Sequence, residues 1–149
     1  FRLPDKNHGV IIKKNKIKTG KGIKIKNGSD ITVAVTGYLL KHVMDILPLL
    51  NKNKINAEVL YFNSIKPFDS GILRKSLKKT KKLITVEEFS AHDGLYNLCI
   101  KSSLDIKIKK IKQLAVTDFI HQYGSFEDLC KFANLDQDSI LKEILKITK

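Results

Sequence analysis

Arginine and tryptophan are almost missing from this basic chain of 149 residues. Lysine and arginine together number 28 against 15 acidic residues, a formal net charge of +13, yet arginine occurs only at positions 2 and 74 and tryptophan not at all. Arginine is the side chain that reads bases and clamps phosphates with two parallel hydrogen bonds. Its scarcity argues against a nucleic-acid partner, and we expect the scattered lysines on solvated faces.

Cysteine clusters and long apolar runs are missing as well. Cys99 and Cys130 are not spaced as a CxxC pair, and no grouping of His and Cys resembles a zinc site. We expect two reduced core thiols in a reducing compartment, and hence a cytoplasmic protein. No apolar run approaches the roughly 20 residues that span a bilayer, which predicts no membrane association.

The chain opens Phe1-Arg2-Leu3-Pro4, with neither an initiator methionine nor a visible signal peptide. This opening predicts a fragment or a processed chain. Residues 1–19 are interpreted as a linker or as the tail of a preceding domain, with an extended piece at Val10–Ile12. Residues 20–149 are enough for one domain with its own core.

Strands alternate with helices along residues 20–149. The sequence predicts strands at 20–28, 31–35, 57–62, 83–86 and 106–116, and helices at 38–51, 70–79, 94–102, and after Ser125 and Asp136. The first strand alternates apolar and basic residues, as a half-exposed edge strand does. The alternation implies βαβ crossovers. The predicted fold class is therefore α/β, with three α/β/α layers and a mostly parallel five-stranded sheet.

A structural turn is predicted at Lys66, Pro67 and Asp69, between the 57–62 strand and the helix after it. Proline fixes φ and lacks an N–H donor, so it suits a turn or the first positions of a helix. Asp69 can accept the free N–H groups of that helix as its N-cap. His42 and Met44 lie in an apolar helix, where we expect structural roles.

One polar cluster follows the 83–86 strand. Its members are Glu87, Glu88, His92 and Asp93. Such a cluster at the carboxyl end of a strand suits a general acid–base pair or a metal site. The alternative, which we favour, is that Glu87 or Glu88 caps neighbouring backbone donors and His92-Asp93-Gly94 is a loop entering a helix. His121 belongs to a second loop, expected at the same edge of the sheet. Because no GxSxG, HExxH or phosphate-loop motif is present, we expect no complete active site.

Several segments occur together in a recognisable order. They are Gly20-Lys21-Gly22, Ile31 to Gly37, Ala57-Glu58-Val59, Ile65 to Asp69, Val86-Glu87-Glu88, Gly94-Leu95, Phe119 to Gly124 and Leu135-Asp136. This ordered set resembles the C-terminal domain of the transketolase family over about residues 20–148. Transketolases, 1-deoxyxylulose-5-phosphate synthases and the β subunits of 2-oxo-acid dehydrogenases share this domain.

The resemblance implies part of a thiamine-diphosphate enzyme that moves carbon units between sugar-like or 2-oxo substrates. In that family a diphosphate domain with a GDG motif and a pyrimidine domain hold thiamine diphosphate and Mg²⁺, and this chain contains no Gly-Asp-Gly. We therefore expect no catalytic, cofactor-binding or metal residue here and no activity of the chain alone. Phe1 to Pro4 resembles the last strand of the pyrimidine domain. Asp5 and Asp93 depart from the family, which often has arginine and glycine there.

The resemblance also implies a packing role, against the two cofactor-binding domains and in a homodimer. Glu87, Glu88, His92, Asp93 and His121 would then be contacts between domains or subunits. The alternative function is a free-standing basic α/β module that binds an acidic protein partner or nucleic acid. With scarce arginine and 7% aromatic residues, the chain has little for reading or stacking bases.

Overall fold

The computed structural model describes Ile12 and residues 17–149. The strands of the described part are β1 (Ile23–Lys26), β2 (Ile31–Val35), β3 (Ala57–Tyr61), β4 (Lys82–Ser90) and β5 (Lys110–Val116). The helices are α1 (Leu40–Lys52), α2 (Ser70–Thr80), α3 (Leu95–Lys101), α4 (Phe126–Phe132) and α5 (Gln137–Thr148), and a 3₁₀ turn (Gly37–Leu39) leads into α1. The predictions for residues 1–16 lie outside the described residues, apart from Ile12, which packs against the core.

The strands form one sheet in the order β1-β3-β2-β4-β5. β2 to β5 run parallel to one another, and β1 pairs antiparallel with β3 at the edge. Every residue of the central β2 is buried, which explains why its sequence is unbroken and β-branched rather than alternating. The predicted α/β fold with a mostly parallel five-stranded sheet is confirmed.

Helices cover both faces of this sheet. Side chains from α1, α4 and α5 enclose a first core that contains Val33 and Val59, and α2 and α3 enclose a second core that contains Ala34 and Leu60. Successive residues of a strand point to opposite faces, so each strand contributes to both cores. The three predicted layers are present. In the described part of the chain, no helix is both long and apolar enough to cross a bilayer.

Four helices run in the same direction across the sheet. We call the edge where β2 to β5 begin the amino edge, and the edge where they end the carboxyl edge. α1, α2 and α3 connect parallel strands and therefore run from the carboxyl edge to the amino edge. α5 does the same, since Gln137 Nε2 at its start bonds Asp45 of α1 at 2.8 Å and the Thr148 carbonyl at its end accepts from Lys82 at 2.8 Å.

Three buried side chains have structural roles. The ring of His42 is buried, and its Nδ1 lies 2.9 Å from the carbonyl oxygen of Leu135, which ties α1 to the segment before α5. Cys99 in α3 and Cys130 in α4 are free and buried. Burial raises the pKa of both thiols, with nearby carboxylates adding to the effect, and that of Cys130 reaches about 12. Both cysteines therefore behave as apolar core residues.

Besides the first predicted strand, which is shorter at both ends (Ile23–Lys26 against 20–28), two predicted strands have different bounds in the structure. β4 does not end at Val86 but continues to Ser90, which pairs with Val116 beyond a register shift. Glu87 and Glu88 thus lie inside the strand rather than after it. β5 begins at Lys110, and the preceding Ile106 and Ile108 pack against the second core from a loop. Both differences arise from contacts with neighbouring elements that local sequence does not encode.

Lys81 ends α2 in a left-handed conformation, with φ of 55°, while its N–H donates to the Leu77 carbonyl at 2.9 Å. Glycine is preferred at such a position because a Cβ is strained there. We expect Lys81→Gly to stabilise the protein by about 1 kcal/mol. The matched change Lys78→Gly, on the exposed face of the same helix, should destabilise it by about 1 kcal/mol. Urea unfolding of both variants checks this, and a Lys81→Gly variant less stable than the parent chain would contradict it.

Candidate functional site

The candidate site is the crevice between β2 and β4 at the carboxyl edge, where Glu87 and Glu88 lie. From β2 the chain passes through α1 on one face of the sheet to β3, and from β4 it passes through α3 on the other face to β5. The two connections leave in opposite directions, which makes this the topological switch point of the sheet. Open α/β sheets bind their ligands at such points, often on the free N–H groups of helix N-termini.

Glu88 closes one side of this crevice. Its Oε1 accepts hydrogen bonds from the backbone N–H groups of Tyr38 and, at 3.2 Å, of Leu39, in the 3₁₀ turn that begins α1. Gly37 leads into this turn with φ of +66°, and a Cβ there would lie 2.6 Å from Glu88 Oε1. The turn therefore needs glycine for its conformation and for the approach of the carboxylate.

Glu87 closes the other side in the same way. It is only 1% exposed, and its two carboxylate oxygens accept from the backbone N–H groups of Leu95 at 2.6 Å and Tyr96 at 3.1 Å, in the first turn of α3. A Cβ at Gly94, the N-cap of α3, would overlap this carboxylate. A negative side chain at a helix N-terminus is stabilised both by these donors and by the helix dipole.

The backbone donors that could hold an anionic ligand at the switch point are thus bonded to the chain's own carboxylates. Adjacent residues of a strand point to opposite faces, so neighbouring glutamates reach two helix N-termini at once. This is the capping role that the sequence suggested as the alternative to acid–base chemistry. Among the described residues, neither His92 nor His121 hydrogen bonds to either carboxylate through its side chain.

The other predicted site residues lie at the surface of the carboxyl edge. His92 and Asp93 are exposed in the loop between β4 and α3, where the His92 carbonyl accepts from Asn97 Nδ2. His121 is exposed in the loop after β5, and its ring meets that of Phe119 edge-on with centroids 4.8 Å apart. β4 and β5 pair as far as Ser90 and Val116, so the two loops leave the sheet at neighbouring points.

Metal binding finds no support in this geometry. In the part of the chain that the structure describes, no three His, Cys, Asp or Glu side chains are placed to hold a metal ion together. The Glu87 and Glu88 carboxylates accept from backbone donors, and His92 and Asp93 are exposed. The loop that carries His92 and Asp93 is therefore better understood as a connection entering α3.

The predicted structural turn lies beside the crevice, after β3. Lys66 and Pro67 are exposed and joined by a cis peptide bond. Asp69 is the N-cap of α2: its Oδ1 accepts from the Ile72 N–H at 3.3 Å, and its Oδ2 accepts from the Gly22 N–H at 3.1 Å. One carboxylate therefore begins a helix and fastens the segment that leads into β1.

A further buried carboxylate, Glu58, lies towards the amino edge. Its side chain bonds the Lys79 ammonium and the Gly28 N–H, the latter at 3.2 Å, and Lys24 is 3.7 Å away. Burial alone would raise the pKa of Glu58, but the hydrogen bonds from Lys79, Ser76 and Gly28 and the charge of Lys24 outweigh it, so the pKa is lowered. Glu58 therefore stays ionised as a structural anchor.

Sequence reasoning missed an exposed aromatic surface beside the polar loops. We define the aromatic surface as Phe89, Phe119, Tyr123 and Phe132. Phe119 is 76% exposed, Tyr123 is fully exposed, and Phe89 and Phe132 are more than half exposed. Residues 116–122 with Phe132 and Ala133 line a shallow groove of about 300 Å³ here. Phe119 and Phe132 have the apolar neighbours Ile120 and Ala133, so the local pattern does not distinguish them from core residues. Phe89 and Tyr123 lie in polar stretches, which is a weak signal of exposure.

Comparison with known proteins decides the family. A family model described as the C-terminal domain of transketolase matches residues 20–140. The chain belongs to this family. The matched residues include the crevice, the aromatic surface and the first turn of α5.

Two curated relatives align with nearly the whole chain. The chain is 28% identical over 152 residues to the putative transketolase C-terminal section of Methanocaldococcus jannaschii, an alignment that covers 99% of this chain and 47% of the relative. It is 35% identical over 149 residues to the mitochondrial pyruvate dehydrogenase E1 component subunit beta of Dictyostelium discoideum, covering 97% and 39%. The chain spans about half or less of the length of the curated relatives it matches.

A solved structure shows the same fold. It is a split gene transketolase, described as an inactive beta4 tetramer, with a TM-score of 0.81 and 20% sequence identity. The similarity covers 95% of this chain and 47% of the solved one. The present chain therefore corresponds to about half of that longer protein.

The glycine that begins α3 provides a test of the self-capped crevice. We expect Gly94→Ala to destabilise the protein by about 2 kcal/mol or more, because the new Cβ would displace the Glu87 carboxylate from the N-terminus of α3. The matched change Gly71→Ala, in α2, has Asp69 Oδ1 at 3.4 Å and should stabilise by about 0.5–1 kcal/mol. Equal effects of the two changes in urea unfolding would contradict this role of Glu87.

The lowered pKa of Glu58 provides a pH test. A carboxyl group with a lowered folded-state pKa stabilises the protein above its ordinary value of 4.5, and this contribution is lost as the pH falls through the folded-state value. We expect Glu58→Gln to be less stable than the parent chain at pH 7, by about 1–3 kcal/mol. The difference should shrink towards pH 3 in urea unfolding. Glu127→Gln is the control: this exposed side chain lies in the first turn of α4, so the change should cost less than about 1 kcal/mol at pH 7.

Proposed function

We propose that this chain is the non-catalytic C-terminal domain of a thiamine-diphosphate-dependent, transketolase-like enzyme that transfers carbon units between sugar or 2-oxo substrates. The domain packs through its carboxyl edge against the diphosphate- and pyrimidine-binding domains and supports a homodimer. The observation that carries this proposal is the aromatic surface, which lies at that edge and is exposed in the described chain.

Exposed aromatic side chains at one place favour a contact surface. Phe, Tyr and Trp dominate the buried centres of protein interfaces, and adjoining exposed aromatic residues are unusual on a surface that stays in water. Phe119 and Tyr123 belong to one loop, and Phe132 reaches the same groove from α4. A partner that covers this groove would remove the aromatic rings of Phe119 and Phe132 from water together.

The closed crevice supports a non-catalytic role. A diphosphate group does not fit it, because the Glu87 and Glu88 carboxylates already accept the helix N-terminal N–H groups and would repel a second anion. We therefore expect neither thiamine diphosphate nor Mg²⁺ to bind at this crevice. Under the proposal both are held by the other domains of the enzyme.

The predicted contact residues take different parts in this surface. His92, Asp93 and His121 are exposed around the aromatic surface and are proposed as polar contacts at its rim. Glu88 is half-buried beside the turn that begins α1. Glu87 is enclosed within the domain, so it acts on the surface by fixing α3 rather than by touching a partner. Interface rims are commonly polar and surround an apolar centre.

The descriptions of related proteins support assembly from parts. The split gene transketolase of the same fold is described as an inactive beta4 tetramer, which says that chains of its kind associate and that this assembly lacks activity. For the present chain, a catalytic partner is proposed either on the same polypeptide or as a separate subunit. The free-standing basic module remains the alternative prediction.

The aromatic surface can be tested in the native protein that contains this domain. We expect an immunoblot of the source cell, with an antibody to this domain, to show a band several times larger than the 149-residue chain. If the band is near the size of this chain, a separate catalytic subunit should co-purify with it. In that protein, Phe119→Glu should weaken association by about tenfold or more, because it places a charge in an apolar contact. Thiamine-diphosphate-dependent turnover of a ketose should fall with it. Sedimentation velocity and the activity assay measure both effects.

The matched control is Leu104→Glu. Leu104 is 79% exposed after α3, away from the carboxyl edge, and the change should leave assembly and activity intact. Equal behaviour of the two variants would refute the aromatic surface as the interface. If the 149-residue chain alone bound thiamine diphosphate and turned over a ketose, the non-catalytic role would be wrong.

A further inference from the structure

The amino edge, opposite the proposed interface, carries a concentration of positive charge. We define the lysine row as Lys26, Lys54, Lys81, Lys82, Lys109 and Lys110. Lys26 ends the antiparallel β1, Lys54 precedes β3, and Lys81-Lys82 and Lys109-Lys110 begin β4 and β5. These residues are far apart in sequence, and only the parallel topology gathers them along one edge.

The arrangement of the row is unfavourable for the isolated chain. Lys82 and Lys110 are directly opposite each other on neighbouring strands, and the Lys109 N–H donates to the Lys81 carbonyl at 2.7 Å, so two dilysine pairs lie side by side. Like charges directly opposite across a sheet repel each other. Lys54 and Lys81 also hold left-handed φ values of 60° and 55°, where glycine or asparagine is preferred.

Acidic residues in the fold do not neutralise the row. Among the described residues, Lys54, Lys81, Lys109 and Lys110 form no ion pair, whereas the nearby acids pair elsewhere: Glu58 with Lys24 and Lys79, Glu143 with Lys112 and Lys146, and Asp105 with Arg74. Asp30 lies within the row and interacts with Lys26 and Lys82. A single carboxylate leaves most of the positive charge uncompensated.

Helix dipoles explain only part of this pattern. Lys54 and Lys81 follow the C-termini of α1 and α2, where a cation is favourable. Lys109 and Lys110 follow a loop and begin a strand, so no helix end accounts for them. All four of these side chains are exposed.

We infer that the lysine row is a docking surface for an acidic polypeptide segment of a partner protein. The row crosses five strands, a width of about 19 Å at about 4.8 Å per strand, which matches an extended segment of about six residues. Lysine ammonium groups suit carboxylates as flexible point charges. This surface does not depend on the proposed function, since it lies at the other edge of the sheet.

The same observations disfavour nucleic acid as the occupant. Among the described residues Arg74 is the only arginine, and its guanidinium already donates to both carboxylate oxygens of Asp105, at 2.6 and 2.7 Å. The aromatic surface that could stack bases lies at the carboxyl edge, away from the row. Without a free guanidinium or an aromatic side chain near the lysines, a single strand would gain little beyond its phosphate contacts.

Fluorescence anisotropy with labelled poly-L-glutamate tests the inference on the 149-residue chain. We expect salt-sensitive binding that weakens about tenfold when Lys54, Lys81, Lys109 and Lys110 are all changed to glutamine. The matched control changes Lys18, Lys21, Lys66 and Lys142 to glutamine. These four lysines are also exposed, and the control removes the same net charge away from the row. It should retain most of the binding.

Circular dichroism should show that both four-lysine variants stay folded, since every changed side chain is exposed. Equal loss of binding in the two variants would overturn the inference, because it would reduce the effect to net charge. Absence of binding at low salt would overturn it as well. Tighter, row-dependent binding to a DNA duplex or to phosphatidylserine vesicles than to poly-L-glutamate would replace the acidic polypeptide with that other partner class.

Discussion

Two neighbouring glutamates on β4 hold the centre of this structure together. Because successive side chains of a strand point to opposite faces, Glu87 reaches the N-terminus of α3 on one face and Glu88 reaches the turn before α1 on the other. Each carboxylate satisfies donors that helix formation leaves free. The two helical layers are thereby fixed to the central sheet at one point, and Gly37 and Gly94 are the residues that let the carboxylates approach.

This arrangement changes what the fold can do. In an α/β sheet the switch point is where ligands are usually held, yet here the chain supplies its own anions to that place. The backbone donors of the crevice are therefore used within the fold, and we propose that the surfaces around it are the parts that meet other molecules. The exposed aromatic side chains beside the crevice and the lysines at the far edge are separated by the full length of the strands.

Local signals in the sequence were sufficient for most of the fold. Asp69, Ser125 and Asp136 mark helix starts because an N-cap depends on residues only a few positions away. The true end of β4 was not predictable, because Ser90 joins the sheet only through Val116 on another strand. The exposure of Phe119 was not predictable for a similar reason, because the sequence of a loop does not show whether another element covers its apolar side chains. The sequence identified Glu87 and Glu88 as candidate site residues, but the backbone donors that they bind are set by the order of the strands and helices.

The common direction of α1, α2, α3 and α5 has an electrical consequence. Their N-termini meet at the edge where Glu87, Glu88, Asp69 and Asp136 lie, and α1, α2 and α5 end near lysines of the opposite edge. Side-chain charge thus has the opposite sign to the partial charge of the helix ends at each edge, and because a side chain carries a full unit charge against about half a unit at a helix end, we expect the side chains to set the direction of a dipole along the strands. A dipole of this kind experiences a torque in the field of an approaching charged protein. The domain would turn its basic edge towards an acidic partner before contact, and so raise the fraction of encounters that are productive.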